Sequence, residues 1–239
     1  MFLRNDADVR AEPVTVAPPA LPVLYQDDRL VAIDKPSGLV VHRSQQAQDS
    51  VNCIGLLRRQ LGRFLFAVHR LDRGASGVLV FALDREAGQA LSAAFAERQI
   101  EKQYLALVRG YLPEDGLIDS PLRGLGGAGP QPAETRFTRL ATTEIPHPVR
   151  PHPTARYSLV RAEPSTGRTH QLRRHFAHIR HPIVGDANHG DGHHNRLFRH
   201  EFGCRRLVLH AERLALPDPT TGDPLVIEEI GRASCRERV

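Results

Sequence analysis

Asp72 and the residues around it, His69-Arg70-Leu71-Asp72-Arg73-Gly74-Ala75-Ser76-Gly77, have the types and spacing to do chemistry. A carboxylate on a loop can serve as a nucleophile when a packed element behind it fixes its position. The apolar run Val78-Leu79-Val80-Phe81-Ala82 that comes next reads as a buried strand, so the loop is fed straight into a rigid support. Taken alone, Asp-Arg-Gly is also ordinary turn chemistry, in which Asp bonds its own backbone and Gly supplies a positive φ. The company of Asp72 separates the two readings. Arg70 and Arg73 flank it and His69 stands beside them, which makes a surface suited to a polyanion.

Two further stretches carry candidate groups. Residues 101–110 alternate polar and apolar and end in Gly110, a strand signature that places Tyr104 either in rim packing or at a site. In Ser165-Thr166-Gly167-Arg168-Thr169-His170-Gln171-Leu172-Arg173-Arg174-His175-Phe176-Ala177-His178-Ile179-Arg180, the residues Leu172, Phe176 and Ile179 fall at i, i+4 and i+7. That spacing predicts an amphipathic helix with Thr169 as N-cap. Its other face is almost entirely Arg and His, with no acid from 164 to 180. Such a face is often merely solvated, yet unrelieved like charge costs stability unless a polyanion answers it.

These stretches together resemble one family, the RluA-type pseudouridine synthases. His-Arg-Leu-Asp, followed after three residues by Ser-Gly and an apolar strand, is similar to the family's central motif, whose Asp is the catalytic nucleophile. Ala75 stands where the family usually has Thr. Asp34-Lys35-Pro36-Ser37-Gly38 resembles the opening motif, a scaffold beside the cleft. Lys102-Gln103-Tyr104 resembles the motif whose Tyr lies against the target base. Thr166-Gly167-Arg168-Thr169-His170-Gln171-Leu172-Arg173 resembles the motif whose last Arg pairs with the nucleophile. The resemblance thus implies Asp72, Tyr104 and Arg173 as catalytic residues. It also implies His69, Arg70, Arg73, Lys102, Arg168, Thr169, His170, Gln171 and Arg174 as RNA contacts. Pro153-Thr154-Ala155-Arg156-Tyr157, Leu172-Arg173-Arg174-His175 and His189-Gly190-Asp191 are most similar to a tRNA-directed branch of the family.

The same resemblance implies an α+β fold with a mixed, mainly antiparallel sheet, flanking helices and a central basic cleft. In the mechanism it implies, a uridine is flipped out, Arg70 fills its place, and Asp72 forms a covalent adduct without any cofactor or metal. The implied partner is tRNA, at a T-stem uridine (position 65), with 23S rRNA as the alternative substrate and a monomer as the expected state. Two readings from other classes compete. One is a non-catalytic module that holds structured RNA. The other is a glycosidase or nucleosidase, which usually needs paired carboxylates, and no second acid stands in the three motifs of Asp72, Tyr104 and Arg173.

The rest of the chain must position these groups. Its 239 residues can bury a sizeable core, and the formal charge of +5 favours an acidic partner. Only two of the 32 basic residues are lysines; Arg suits phosphate forks, but a GC-rich genome gives the same bias. No apolar run approaches the roughly 18 residues of a membrane span and no signal-peptide layout opens the chain, so the expected location is the cytoplasm. Cys53, Cys204 and Cys235 lack paired metal spacing and read as reduced thiols. Eleven of the thirteen histidines lie between 147 and 210; their spacing fits no compact ligand pair, and they are expected to line an RNA cleft.

Residues 1–20 read as a disordered arm, 21–230 as the catalytic domain and 231–239 as an irregular tail. Within the domain, strands are expected at 23–25 and 30–33, and a helix capped by Ser50 carries Val51, Ile54, Leu57 and Leu61. A second helix, capped by Asp84, carries Ala87, Leu91, Ala94 and Phe95. Residues 111–132 read as a surface loop, and strands are expected again at 133–140, 157–160, 206–216 and 225–227.

Overall fold

The computed structural model describes residues 20–42, 51–124 and 129–229. The arm expected before residue 20, the tail from 231, Ser50 and the centre of the Gly-rich loop lie outside the described residues.

One ten-stranded sheet organises the fold. Its main path runs β1 (Val23–Gln26), β2 (Leu30–Lys35), β4 (Ser76–Ala82), β11 (Leu209–Pro217), β5 (Glu101–Arg109), β10 (Ala155–Pro164), β9 (Glu134–Ile145) and β6 (Asp115–Asp119). Short β3 (Phe66–Ala67) pairs with β4, and β12 (Pro224–Glu228) pairs with β11. A separate two-stranded ribbon joins β7 (Leu122–Arg123) to β8 (Pro130–Gln131). The sheet is mixed and mainly antiparallel, an α+β arrangement.

Every residue of β4 is buried, because both faces of the strand are covered. Val78, Val80 and Ala82 meet Ala87, Leu91 and Ala94 of helix α2 (Arg85–Ala96). Leu79 and Phe81 point the other way, into a cluster with Leu56 and Leu57 of α1 (Cys53–Leu61) and Leu172 and Phe176 of α3 (Gln171–His178). The period of two along β4 therefore holds helices on both sides of the strand that carries the Asp72 loop.

β11, late in sequence, is inserted between β4 and β5. Its pairing with β4 is parallel and brief, His210 opposite Ser76 and Ala211 opposite Gly77, before β12 takes over that edge from Arg213 to Pro217. Gly77 permits the approach: its φ is +105°, and a Cβ there would lie 2.2 Å from the Ala211 carbonyl oxygen.

Several elements depart from the sequence reading. Asn52, not Ser50, caps α1, accepting from the Gly55 N–H, and Val51 is exposed ahead of the helix. Asp84 caps α2 as expected, accepting from the Ala87 N–H. His170, not Thr169, is the N-cap of α3. Its backbone is left-handed and its side chain makes no capping bond, because Gln171 reaches back to the Arg168 N–H instead. The expected loop at 111–132 contains β6, an edge strand held to β9, with Leu112, Ile118 and Leu122 buried. Helix α4 (Gly192–Glu201) has no counterpart in the sequence reading; Leu197 and Phe198 pack it against Tyr157 of β10. Among the described residues no helix is long and apolar enough to cross a membrane.

Candidate active site

A hollow of about 500 Å³ opens where the Asp72 loop enters β4. The loop supplies Arg70, Leu71 and Asp72, and β5 supplies Lys102 and Tyr104. The β10–α3 connection supplies residues from Thr166 to His170, and α3 supplies Arg173. Asp72, Tyr104 and Arg173 thus come to one place from three elements. Arg98, in a left-handed turn ahead of β5, also lines the hollow, although nothing in the sequence singles it out.

Arg173 sits between two carboxylates. Its Nη1 donates to Asp72 Oδ2 at 3.1 Å, while Nε and Nη2 donate to Asp186 Oδ2 and Oδ1 at 2.7 and 2.8 Å. Asp186 has no exposed side-chain area, and its Oδ1 also accepts the N–H groups of Asn188 and His189. Burial pushes Asp186 upward, but the Arg173 fork and the two N–H groups outweigh it and hold the acid below the usual carboxylate value. Burial likewise works against the charge on Arg173, and its two acidic partners more than restore it. The guanidinium is locked by Asp186 and presents its remaining nitrogen to Asp72.

Asp72 keeps 20% of its side-chain area exposed, and its Oδ1 faces His170 Nε2 at 4.0 Å. The Tyr104 hydroxyl is pushed well above the ordinary phenol value, first by burial and then by the nearby Asp72 charge, so it stays protonated. Lys102 donates to the Thr166 carbonyl at 3.0 Å and is pulled down to about 8 by burial.

The Asp34–Gly38 loop braces the Asp72 loop from behind. Lys35, fully buried, donates to the carbonyls of Pro36, Leu39 and Arg73 at 2.9, 2.7 and 3.2 Å. Ser37 Oγ donates to the Gly74 carbonyl at 2.6 Å, and the Gly38 N–H to the Arg73 carbonyl at 2.8 Å. Gln171 braces the other side. Its Oε1 accepts from Thr166 Oγ1 and the Arg168 N–H, and its Nε2 donates to the Glu134 carbonyl and Thr135 Oγ1.

The expected RNA contacts are not all alike. Arg70, Lys102, Arg168, Thr169 and His170 line the hollow. Gln171 lines it too, with both ends of its amide occupied as described. His69 also borders the hollow, but its Nε2 accepts the Val80 N–H at 2.9 Å and its ring stacks on Phe95 at 4.6 Å. Burial pushes it down to about 3, so it is neutral and adds no charge to the surface. Arg73 and Arg174 lie outside the lining; Arg174 donates to the Arg123 carbonyl on the β7–β8 ribbon.

The histidine-rich stretch corrects the expectation of a histidine-lined cleft. Of the histidines among the described residues, His69 and His170 line the hollow. His175 is buried between Thr135 Oγ1 and the Ser120 carbonyl, His181 donates to the Arg109 carbonyl, and His194 shares a hydrogen bond with Tyr157. They hold elements together. No group of three or more His, Cys, Asp or Glu side chains among the described residues is placed to share a metal ion.

The sequence reading missed Asp186, which orients Arg173, and the pairing of Arg109 with Asp191, which ties β5 to the cap of α4. The signal for Asp186 was that it is the first acid after the acid-free stretch that begins at residue 164 and contains α3.

Residues 29–178 match the family model described as RNA pseudouridylate synthase. The chain is 48% identical over 219 residues to tRNA pseudouridine synthase C of Salmonella typhimurium, covering 87% of this chain and 84% of that protein. It is 45% identical over 224 residues to the protein of the same name from Vibrio parahaemolyticus, covering 89% and 91%. Among solved structures it is similar to human RNA pseudouridylate synthase domain containing 1, at TM-score 0.69 and 26% identity, covering 92% of this chain and 86% of that one. The human domain containing 4 protein matches at TM-score 0.68 and 26% identity, covering 88% and 89%. With a loop carboxylate, a buried guanidinium and a tyrosine around one basic hollow, and relatives of this kind along most of its length, the chain belongs to the RNA pseudouridylate synthase family of the RluA type.

Proposed function

We propose that the protein isomerises a tRNA uridine, the T-stem residue at position 65, to pseudouridine, with Asp72 as nucleophile. One observation carries this reading. Arg173 grips one oxygen of Asp72 from a buried anchor, while the other oxygen makes no hydrogen bond among the described residues and faces the hollow shared with Tyr104.

The chemistry comes from these groups. The uridine leaves its stack, an unpairing that costs a few kcal/mol, and phosphate contacts at the basic rim offset that cost. Arg70, on the lining of the hollow, takes the vacated space. Asp72 Oδ1 bonds to C1′ as the pair of the C1′–N1 bond leaves with the base. The base turns, its C5 attacks C1′, and the carboxylate departs. Tyr104 stacks on the uracil and, staying protonated, donates from its hydroxyl. Residues 21–230 act as one catalytic domain, as a monomer in the cytoplasm, without a cofactor.

A glycosidase would need a second carboxylate able to give up a proton. Asp186, the other acid on Arg173, is saturated by four hydrogen bonds. The decisive variant is Asp72→Ala. Conversion falls by about 10⁴-fold or more while tRNA affinity stays within a few-fold, the loss expected of a missing nucleophile. Unchanged conversion, or release of free uracil by the unaltered enzyme, would refute the assignment. Pseudouridine mapping in tRNA and rRNA from a deletion strain identifies the substrate; a site missing from 23S rRNA instead would replace tRNA with rRNA.

A further inference from the structure

Rearrangement leaves a task for which Asp72, Tyr104 and Arg173 have no obvious agent. Once C5 has bonded to C1′, that carbon still carries its hydrogen, which must depart as a proton. We propose that His170, oriented by His189, takes the C5 proton. The inference rests on the reading of Asp72 as nucleophile and goes beyond it.

His170 is placed for this by four features. It lines the hollow, and its Nε2 stands 4.0 Å from Asp72 Oδ1, on the side of the carboxylate away from Arg173. Its Nδ1 shares a 3.1 Å hydrogen bond with His189 Nε2, the two rings meeting edge-on at 5.3 Å and 75°. His189 is itself fixed, since its backbone N–H donates to the anchored Asp186. Finally, His170 has φ +54° at the N-cap of α3, where an ordinary cap would be extended and would bond the helix with its side chain. A non-glycine residue in that conformation costs about 1 kcal/mol or more, and such strain concentrates at functional positions. Here it withdraws the imidazole from capping and leaves Nε2 facing the reacting carboxylate.

The other groups in the hollow suit the task less well. Tyr104 holds its proton, Lys102 is engaged with the Thr166 carbonyl, and Arg70, Arg98 and Arg168 are cations. His170 is pulled below the usual imidazole value by burial, with Arg173 and His189 adding to the effect and the charges of Asp72 and Asp186 opposing it; the ring is neutral near pH 7. His189 is lowered in the same direction, again chiefly by burial.

The step balances. His170 Nε2 accepts the C5 hydrogen as a proton, and the C5–H electron pair restores conjugation in the ring. N1, which left ribose with its bonding pair, takes up a proton from solvent. His170 passes its Nδ1 proton through His189 to solvent, so no net proton is gained or lost.

The test is single-turnover conversion of a tRNA transcript carrying either ordinary uridine or 5-deuterated uridine, by the unaltered enzyme, His170→Gln, His170→Ala and His189→Gln. His170→Gln slows conversion by roughly 10²- to 10⁴-fold, the range of a lost general base, and acquires a primary deuterium isotope effect, with tRNA affinity within a few-fold. Its residual rate lacks the fall at low pH that protonation of the ring imposes on the unaltered enzyme. Free imidazole restores His170→Ala, and His189→Gln is slowed less, by about 10-fold. Conversion by His170→Gln at the normal rate, or slowing without an isotope effect, overturns the proposal even when Asp72→Ala is inactive. Should His170→Gln not fold, an isotope effect in His189→Gln supports the relay and its absence overturns it. Continued conversion by Asp72→Ala would instead remove the reading underneath.

Discussion

The two acids on either side of Arg173 face the same guanidinium and serve opposite ends. The turn at Asp186 is sealed, and both oxygens are consumed by the fork and by two backbone N–H groups. The loop at Asp72 is open to the hollow and holds a single contact from Arg173, at 3.1 Å. A charged pair buried without other bonds is costly to desolvate, whereas one completed by extra donors becomes a fixed point. The difference is one of asymmetry, and on the proposed mechanism it is what makes Asp72 reactive: one carboxylate is saturated so that the other can be held by one oxygen and remain available at the second.

Removing the sealed side has the largest expected effect. Asp186→Ala leaves a buried guanidinium with one partner, and a loss of about 3–5 kcal/mol in unfolding free energy is expected from chemical denaturation. A loss under about 1 kcal/mol would mean the turn is not the anchor. Arg173→Lys sharpens the contrast, because an ammonium cannot bridge two acids with a planar fork. Losing one charge-assisted bond, about 1.5–3 kcal/mol, lowers the single-turnover rate by roughly 10- to 150-fold while tRNA affinity holds; a rate within twofold of normal would make the fork dispensable. His69, which borders the open loop and is half-buried, gives a pH signature of stability. Unfolded, it takes a proton near 6.5; folded, only near 3. The unfolded state therefore binds more protons in between, and stability falls as pH drops from about 6.5 toward 3, by up to about 1.4 kcal/mol per pH unit. His69→Gln flattens that acid limb in denaturant titrations. Far from both acids, Arg29 pairs with the exposed Glu86, and Glu86→Ala shifts stability by no more than about 0.5 kcal/mol.

Legibility followed the same divide. The Asp72 loop could be read because its support is local: a Gly-containing turn runs directly into an apolar strand, and Asp84 then caps the next helix as its side chain suggests. Asp186 could not, since an acid between Gly185 and Ala187 looks like turn chemistry until Arg173 is folded against it. Helix α4 was hidden because Gly192, His193, His194 and Asn195 are indifferent helix formers and Leu197 and Phe198 make too short a stripe for periodicity. β6 is five residues long and depends on its partner β9. The histidines misled because a run of one residue type suggests a shared purpose, and here His175, His181 and His194 each meet a different neighbour away from the hollow. The cap of α3 was misjudged for a related reason: Thr169 is the better capping residue, but Gln171 supplies the acceptor.

The position of β11 has a consequence for how the protein comes into being. Residues 209–217 lie between strands formed from residues 76–82 and 101–109, so a chain growing from its N-terminus has both neighbours waiting for a middle that is synthesised much later. Asp72 and Arg173 are 101 residues apart, and the seam that aligns their supports closes only when His210 and Ala211 have left the ribosome. A nascent chain stalled before residue 209 should be cut readily by protease within 76–109, and one stalled after 217 has emerged should resist. The enzyme is in this sense armed only once β11 has been made.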